Sequence, residues 1–186
     1  MQTFPLGFLI SGGQTGVDQA ALDAGLALGI GIGGWCPSGR RSEAGPIPER
    51  YPLRETAVAA YPMRTRLNVR DSDATLVFSC GIPHGGTALT VELASNLRRP
   101  CLVLDIPSLD DFQVEEQLLQ WLQDISPGIL NVAGPRRSEA PELPARVGAI
   151  LKAVLRPLPA VHGHGTPVPI WPPKRPLTPA LFGPEL

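Results

Sequence analysis

Two glycine-rich segments, residues 11–18 and 81–90, carry the groups in this sequence that are best suited to bind an anion. Glycine lets backbone N–H groups approach an oxyanion closely, and the N-terminus of a following helix adds a favourable dipole. Hydroxyl and amide side chains beside the glycines can donate further hydrogen bonds. The sequence therefore predicts a phosphate or oxyanion site formed by Ser11, Gly12, Gly13, Gln14, Thr15, Gly16 and Asp18 together with Gly85, Gly86, Thr87 and Thr90.

Arginines near these segments can supply positive charge to the same ligand. The guanidinium fork matches the oxygens of phosphate or molybdate in two parallel hydrogen bonds. The pair Arg40 and Arg41 lies in a long loop rich in glycine and proline, three arginines lie on a predicted helix over residues 62–71, and two follow a third glycine loop. We expect the binding set to be completed by Arg40, Arg70, Gly134 and Arg136.

A carboxylate on the second predicted helix is the candidate for catalysis. Glu92 lies two turns into this predicted helix, where it can act as a general base or bind a ribose hydroxyl. The glycine spacing matches neither G-x-G-x-x-G nor G-x-x-x-x-G-K-[ST], because no lysine follows Gly16. A standard dinucleotide-dependent dehydrogenase and a P-loop nucleotide hydrolase are therefore disfavoured.

Each glycine loop lies between a short apolar run and a stretch with helical periodicity. The apolar runs cover residues 7–11, 74–79, 101–105 and 129–132. Strands that alternate with helices predict an α/β, Rossmann-like fold with a mostly parallel sheet and helices on both faces. In such sheets ligands bind beyond the carboxyl ends of the strands, which is where the three loops would meet.

The 186 residues suffice for one core, and the composition changes near the C-terminus. We predict a ligand-binding domain over residues 1–156 and a proline-rich, disordered tail over residues 157–186. The tail lacks apolar periodicity, so we expect it to be dispensable for folding. Trp171 and Phe182 within it can dock onto a neighbouring subunit, but the frequent prolines favour an extended, mobile segment.

Composition and charge disfavour several classes of partner. The net charge is −1, with 18% charged and 43% hydrophobic residues, which provides no field to attract nucleic acid. No apolar run approaches the roughly 20 residues that span a membrane, and the N-terminus lacks the features of a signal peptide. We therefore expect a cytoplasmic protein. The three cysteines have no spacing typical of a metal site or a disulfide framework.

Five motifs occur in one order and resemble those of the molybdenum carrier family. The resemblance covers about residues 7–155 and rests on the segments 10–18, 34–41, 68–73, 85–92 and 131–136. That family is similar to molybdenum cofactor carrier proteins and, more distantly, to the lonely-guy phosphoribohydrolases that are often misnamed lysine decarboxylases. The resemblance implies a Rossmann-like fold, a nucleotide-like or pterin-phosphate ligand, and a homo-oligomer.

The resemblance leaves three hypotheses for the function. The phosphoribohydrolase signature G-G-x-G-T-x-x-E is retained at Gly85, Gly86 and Glu92, but Ala88 and Leu89 replace its inner glycine and threonine. We therefore place first a binding or carrier protein for a phosphate-bearing ligand, either molybdenum cofactor or a nucleotide. A nucleoside-monophosphate hydrolase that uses Glu92 is the second hypothesis, and a sensor of nucleotide derivatives is the third.

Overall fold

Short apolar runs form most strands of the main sheet, and glycine-rich turns follow several of them before a helix begins. The computed structural model describes residues 6–156 and Trp171. In that part of the chain the strands are β1 (Phe8–Ile10), β2 (Gly31–Gly33), β3 (Trp35–Cys36), β4 (Arg41–Ser42), β5 (Gly45–Pro46), β6 (Arg54–Glu55), β7 (Ala74–Ser79), β8 (Cys101–Asp105) and β9 (Ile129–Ala133). The helices are α1 (Val17–Leu28), α2 (Tyr61–Asp71), α3 (Gly85–Asn96), α4 (Asp111–Ile125) and α5 (Leu143–Val154), with a 3-10 turn at Ile106–Ser108.

Five of the strands form one parallel sheet in the order β2-β1-β9-β7-β8. If the strands are counted from β7 instead of β1, this arrangement becomes the doubly wound order 2-1-3-4-5. The point where the strand order reverses then lies between β7 and β9. The predicted Rossmann-like α/β fold with a parallel sheet is confirmed.

The main core lies on the face of the sheet that carries α1, α4 and α5. Alternate residues of a strand point to opposite faces, so Leu9 of β1 packs there while its neighbours Phe8 and Ile10 point to the other face. The core helices contribute stripes of fully buried residues, such as Val114, Leu118 and Leu122 of α4. On the other face, α2 and α3 pack against each other.

The long loop after residue 36 has a defined path and covers a small second core. The hairpin of β4 and β5 and the parallel pair of β3 and β6 organise it. Tyr51, Ile47 and Leu53 from this loop bury against Leu22 of α1. This packing fixes the loop beside the carboxyl end of β1.

Trp171 returns to the sheet on the face opposite the main core. Its ring meets that of Phe8 edge to face at 5.7 Å and packs with Ile10 and Ile129. It also lies so close to Gly33 that a Cβ there would be 2.3 Å from the indole Cγ. The sequence suggested a contact with a neighbouring subunit, whereas the described contact is with the chain's own sheet; the rest of the predicted tail lies outside the described residues.

Candidate functional site

A cavity of about 290 Å³ lies beyond the carboxyl ends of β1, β7 and β9. This is the switch point of the strand order, where ligands bind in open α/β sheets. Four segments line the cavity: the loop after β1, the first two turns of α2, the start of α3, and the end of β9 with its loop. Because the strands are parallel, their following loops meet at one edge of the sheet, and α2 closes the side.

An ion pair between α1 and α2 forms one wall of the cavity. Arg64 Nη1 donates to Asp18 Oδ2 at 2.8 Å, and the same carboxylate oxygen accepts the backbone N–H of Gln14 at 3.2 Å. The side chain of Asp18 is 4% exposed and that of Arg64 is 16% exposed. Arg64 Nε is buried and has no hydrogen-bond partner among the described residues.

The position of the Arg64 guanidinium group leaves no room for a side chain at Gly12. A Cβ at Gly12 would lie 1.3 Å from Arg64 Nη1, so any side chain there would displace the arginine. The backbone after β1 and the guanidinium are therefore in direct contact. Two α2 residues on either side of Arg64 also line the cavity: Tyr61 at the exposed start of the helix, and Asn68, whose amide bonds both backbone groups of Trp35.

The start of α3 faces the same space. The N–H groups of Thr87 and Ala88 both donate to the carbonyl of His84 at 3.1 and 3.2 Å. The N–H groups of Gly85 and Gly86 have no acceptor among the described residues, as expected for the first turn of a helix. They therefore offer two donors and the positive end of the helix dipole to the cavity.

The loop after β9 packs tightly against the loop after β1. Gly16 has a φ of 94°, and a Cβ there would lie 2.5 Å from the carbonyl oxygen of Pro135. The N–H of Val17 donates to that same carbonyl at 3.2 Å. Beyond it, Arg136 pairs with Glu139 at 3.1 Å, and both residues line the cavity with their side chains about half exposed.

Glu43, at the turn of the β4–β5 hairpin, connects the two loops. Its carboxylate accepts hydrogen bonds from the Thr15 hydroxyl and from both the N–H and the hydroxyl of Ser138, the latter at 2.5 Å. Its own N–H donates to Gln14 Oε1 at 3.0 Å. Desolvation raises the pKa of the Glu43 carboxyl, but the hydrogen bonds from Ser138 and Thr15 outweigh it, so the pKa lies below its usual value.

Most of the predicted ligand-binding residues lie together. Those that line the cavity are Gly12, Gln14, Asp18, Gly85, Gly86, Thr87, Thr90, Gly134 and Arg136. Ser11, Gly13, Thr15 and Gly16 are sequence neighbours of lining residues but do not line the cavity themselves. The hydroxyl of Ser11 donates to the carbonyl of Val132 at 2.6 Å, which ties β1 to β9.

Three other predicted residues lie outside the lining. The guanidinium of Arg40 donates to four carbonyls of the long loop, those of Ile47, Pro48, Tyr51 and Leu53. Arg70 is held by Asp71 through two hydrogen bonds of 2.6 and 3.0 Å. Glu92 is exposed on α3.

Sequence reasoning did not select Arg64 or Glu43. Arg64 lies on α2 together with Arg66 and Arg70. Its place on one face of that helix could have distinguished it, because that face lines the cavity through Tyr61, Arg64, Thr65 and Asn68. No pattern distinguishes Glu43 from the other carboxylates of the long loop. Its role depends on the hairpin that brings it to Thr15 and Ser138.

Two comparisons with known proteins agree with this fold. Residues 9–155 match the model of the circularly permutated YpsA SLOG family. The crystal structure of a "Putative molybdenum carrier protein" from Syntrophus aciditrophicus SB is 39% identical, with a TM-score of 0.81, over 83% of this chain and 98% of that one. No curated protein matches the chain at a significant level.

Both findings fit the geometry of the sheet. The doubly wound order appears only when the strands are counted from β7, which is what a circular permutation produces. Among the described residues, no helix has the length and apolar character needed to cross a membrane. The resemblance to molybdenum carriers predicted from the motifs is confirmed, and the chain belongs to the circularly permutated YpsA SLOG family.

Proposed function

We propose that the cavity binds and carries a small ligand with a phosphate or other oxyanion group. One observation carries this proposal: the guanidinium of Arg64 is fixed by Asp18 against Gly12, in a cavity that the unpaired N–H groups at the start of α3 also line. A fixed guanidinium and a helix N-terminus are both suited to an anion. Arg136 adds a second guanidinium at the rim.

The cargo we favour is molybdenum cofactor, and a nucleotide is the alternative. The similar protein described as a molybdenum carrier supports the first choice. The cavity of about 290 Å³ lies at the lower end of the roughly 300–1,000 Å³ of typical ligand sites, which suits one pterin phosphate or mononucleotide. The guanidinium groups of Arg64 and Arg136 in the lining suit the oxygens of such a ligand.

The arrangement of carboxylates favours binding over hydrolysis. A hydrolase needs a carboxylate near the ribose that is free to act as a base or to stabilise charge. In the described part of the chain, the carboxylates that line the cavity are Asp18 and Glu139, and each is paired with an arginine. Glu92, the candidate from the sequence, lies outside the lining.

The test begins with the ligand that accompanies the purified protein, identified by mass spectrometry after denaturation. Calorimetric titration with molybdate and with adenosine monophosphate follows, for the wild type, Arg64→Gln and Arg66→Gln. Arg66 is exposed on the same helix and serves as the matched control. We expect Arg64→Gln to weaken binding at least tenfold, and Arg66→Gln to leave it unchanged.

Equal affinities in the two variants would contradict the proposed site. Catalysis is tested separately, by measuring release of free base from nucleoside monophosphates. We expect no release by the wild type, and we expect Glu92→Gln to keep the wild-type affinity. Base release that disappears in Glu92→Gln would favour the hydrolase over the carrier.

A further inference from the structure

Asn131 is a polar residue at a position of the sheet where an apolar residue is expected. It lies in β9, the central strand, and pairs with Ile10 of β1 on one side and with Thr75 of β7 on the other. Strands buried on both faces of a parallel sheet are usually continuous apolar runs, and asparagine is depleted in strands. Asn131 is nevertheless only 2% exposed. A buried amide at this position costs free energy unless its polar atoms are paired.

The protein satisfies only part of the Asn131 amide. In the described part of the chain Nδ2 donates one hydrogen bond, to Thr75 Oγ1 at 3.3 Å, which leaves its second N–H and Oδ1 without a partner there. Within residues 6–156 and at Trp171, the fully buried side-chain atoms that lack a partner belong to Arg64 and Trp171, and Asn131 Oδ1 is not among them. Oδ1 is therefore accessible. Because Asn131 lines the cavity, the unpaired part of the amide faces the cavity.

Asn131 lies deeper in the sheet than the groups proposed to bind the anion. Its side chain points to the same face as that of Ile129, which is the face that carries α2 and α3. Gly12, which contacts the Arg64 guanidinium, comes two residues after Ile10, the β1 partner of Asn131. At about 3.3 Å per residue, Gly12 and Asn131 are separated by roughly 7 Å along the strands. The cavity thus has an anion-binding end at the loops and an amide at its floor.

We infer that Asn131 selects the ring of the ligand, and that this ring is a fused aminopyrimidine. The exocyclic amine of the ring donates to Asn131 Oδ1, and the ring nitrogen beside the amine accepts the second N–H of Nδ2, which is how asparagine pairs with adenine. Adenine and pterin both carry such an amine next to a ring nitrogen. Leu89 on α3 and Tyr61 on α2 also line the cavity and supply apolar surface for a flat ring. The inference rests on the proposed function, because the phosphate of the same ligand binds at Arg64.

The test compares pairs of phosphate-bearing probes that differ only in the amine. One pair is adenosine monophosphate and purine riboside monophosphate. The other pair is 6-hydroxymethylpterin phosphate and its 2-deamino analogue. In calorimetric titrations of the wild type, we expect a preference of about tenfold or more for the amine-bearing member of at least one pair, because the analogue leaves the buried Oδ1 unpaired. The pair with the larger preference identifies the ring as a purine or a pterin.

Three variants separate selection of the ring from binding of the anion. Asn131→Val should abolish the preference for the amine. Arg64→Gln should weaken both members of a pair by the same factor and keep the preference. Thr75→Val is the matched control: it removes the hydrogen bond to Asn131 Nδ2 but changes no residue of the lining, so the preference should persist even if the melting temperature falls.

Equal wild-type affinity for the two members of both pairs would overturn the inference, and so would a preference that persists in Asn131→Val. The proposed anion site would stand in either case if Arg64→Gln still weakens binding. Binding of molybdate but of none of the four probes would likewise overturn the inference alone. Failure of the wild type to bind molybdate or any probe would overturn the proposed function as well. The wild-type comparison uses no variant, so it decides the question even if Asn131→Val does not fold.

Discussion

At the scale of single residues, the ion pair of Arg64 and Asp18 has two roles. It joins α2 to the start of α1, and it holds a guanidinium in the wall of the cavity. Removing one partner of a buried pair leaves the other charge without compensation, which costs more than the pair itself contributes. The site and the stability of the fold therefore depend on the same contact.

We expect Asp18→Asn to lower the free energy of unfolding by about 3 kcal/mol, the lower end of the range for breaking a buried pair. The 16% exposure of Arg64 places the loss at this end, since water can partly solvate the freed charge. Urea denaturation measures the change. Asp23→Asn is the matched control: it breaks the exposed pair with Arg50 and should cost less than about 1 kcal/mol. Equal losses in the two variants would contradict the structural role of Asp18.

The contact between Gly12 and Arg64 gives a second prediction at this scale. Gly12→Ala should expel the guanidinium and weaken binding of molybdate or adenosine monophosphate at least as much as Arg64→Gln does. The reason is the 1.3 Å distance between the added Cβ and Arg64 Nη1. Titration calorimetry measures the effect, and Gly148→Ala, which meets nothing within 4 Å, is the control. Unchanged affinity in Gly12→Ala would show that the guanidinium does not contact the ligand.

At the scale of elements, the β4–β5 hairpin connects the loops after β1 and β9 through the carboxylate of Glu43. Glu43 accepts hydrogen bonds from Thr15 on one loop and Ser138 on the other. These bonds favour the ionised carboxylate, so the pKa of Glu43 is lower in the folded protein than in the unfolded chain. The resulting stabilisation is fully present above the unfolded pKa and is lost as the pH falls through the folded value.

We therefore expect Glu43→Gln to destabilise the protein at pH 7, and the difference from the wild type to shrink as the pH falls below about 4.3, the ordinary pKa of glutamate. Denaturant titrations at several pH values measure it. Glu49→Gln, an exposed carboxylate of the same loop, is the control and should show little pH-dependent difference. A difference for Glu43→Gln that stays constant down to pH 3 would contradict this account.

The strands β1, β7, β8 and β9 could be predicted, because each is a short apolar run. The two-residue strands of the long loop, such as Arg41–Ser42 and Arg54–Glu55, could not, because they have no apolar pattern. The arrangement of the strands could not be predicted either, since periodicity does not say that β9 lies between β1 and β7. Sequence patterns likewise do not show which residues of the site contact each other. Glycine loops after strands indicated Gly12 and Gly85, whereas the ion pair between Arg64 and Asp18 joins residues 46 positions apart. Arg40 matched a motif, yet its donors bond the carbonyls of its own loop.

At the scale of the whole molecule, Trp171 covers an apolar part of the sheet that α2 and α3 leave open. Its indole is 5% exposed and packs on Phe8, Ile10 and Ile129. Its Nε1 is buried without a hydrogen-bond partner among the described residues, which reduces the gain from burial. The packing of Trp171 thus connects a residue far along the sequence to β1.

We expect Trp171→Ala to lower the free energy of unfolding by about 1–3 kcal/mol, below the 3–5 kcal/mol of a fully satisfied core aromatic. A chain that ends at residue 156 should lose the same amount and still fold. Thermal melting of the two variants measures it, with Trp171→Phe as a control that retains most of the packing. A loss in the truncated chain much larger than in Trp171→Ala would show that other residues after 156 also support the fold.

The position of β9 in the sheet has a consequence for how the chain is made. β1 pairs with β2, and β7 pairs with β8, and among the described strands only β9 joins the two halves. Ser11, at the end of β1, bonds to Val132 of β9, which is synthesised 121 residues later. At about 5–20 residues per second, the delay is roughly 6–24 s. During that time the inner edges of β1 and β7 are open to pairing with other chains. We therefore expect the nascent protein to need a holding chaperone until β9 has left the ribosome.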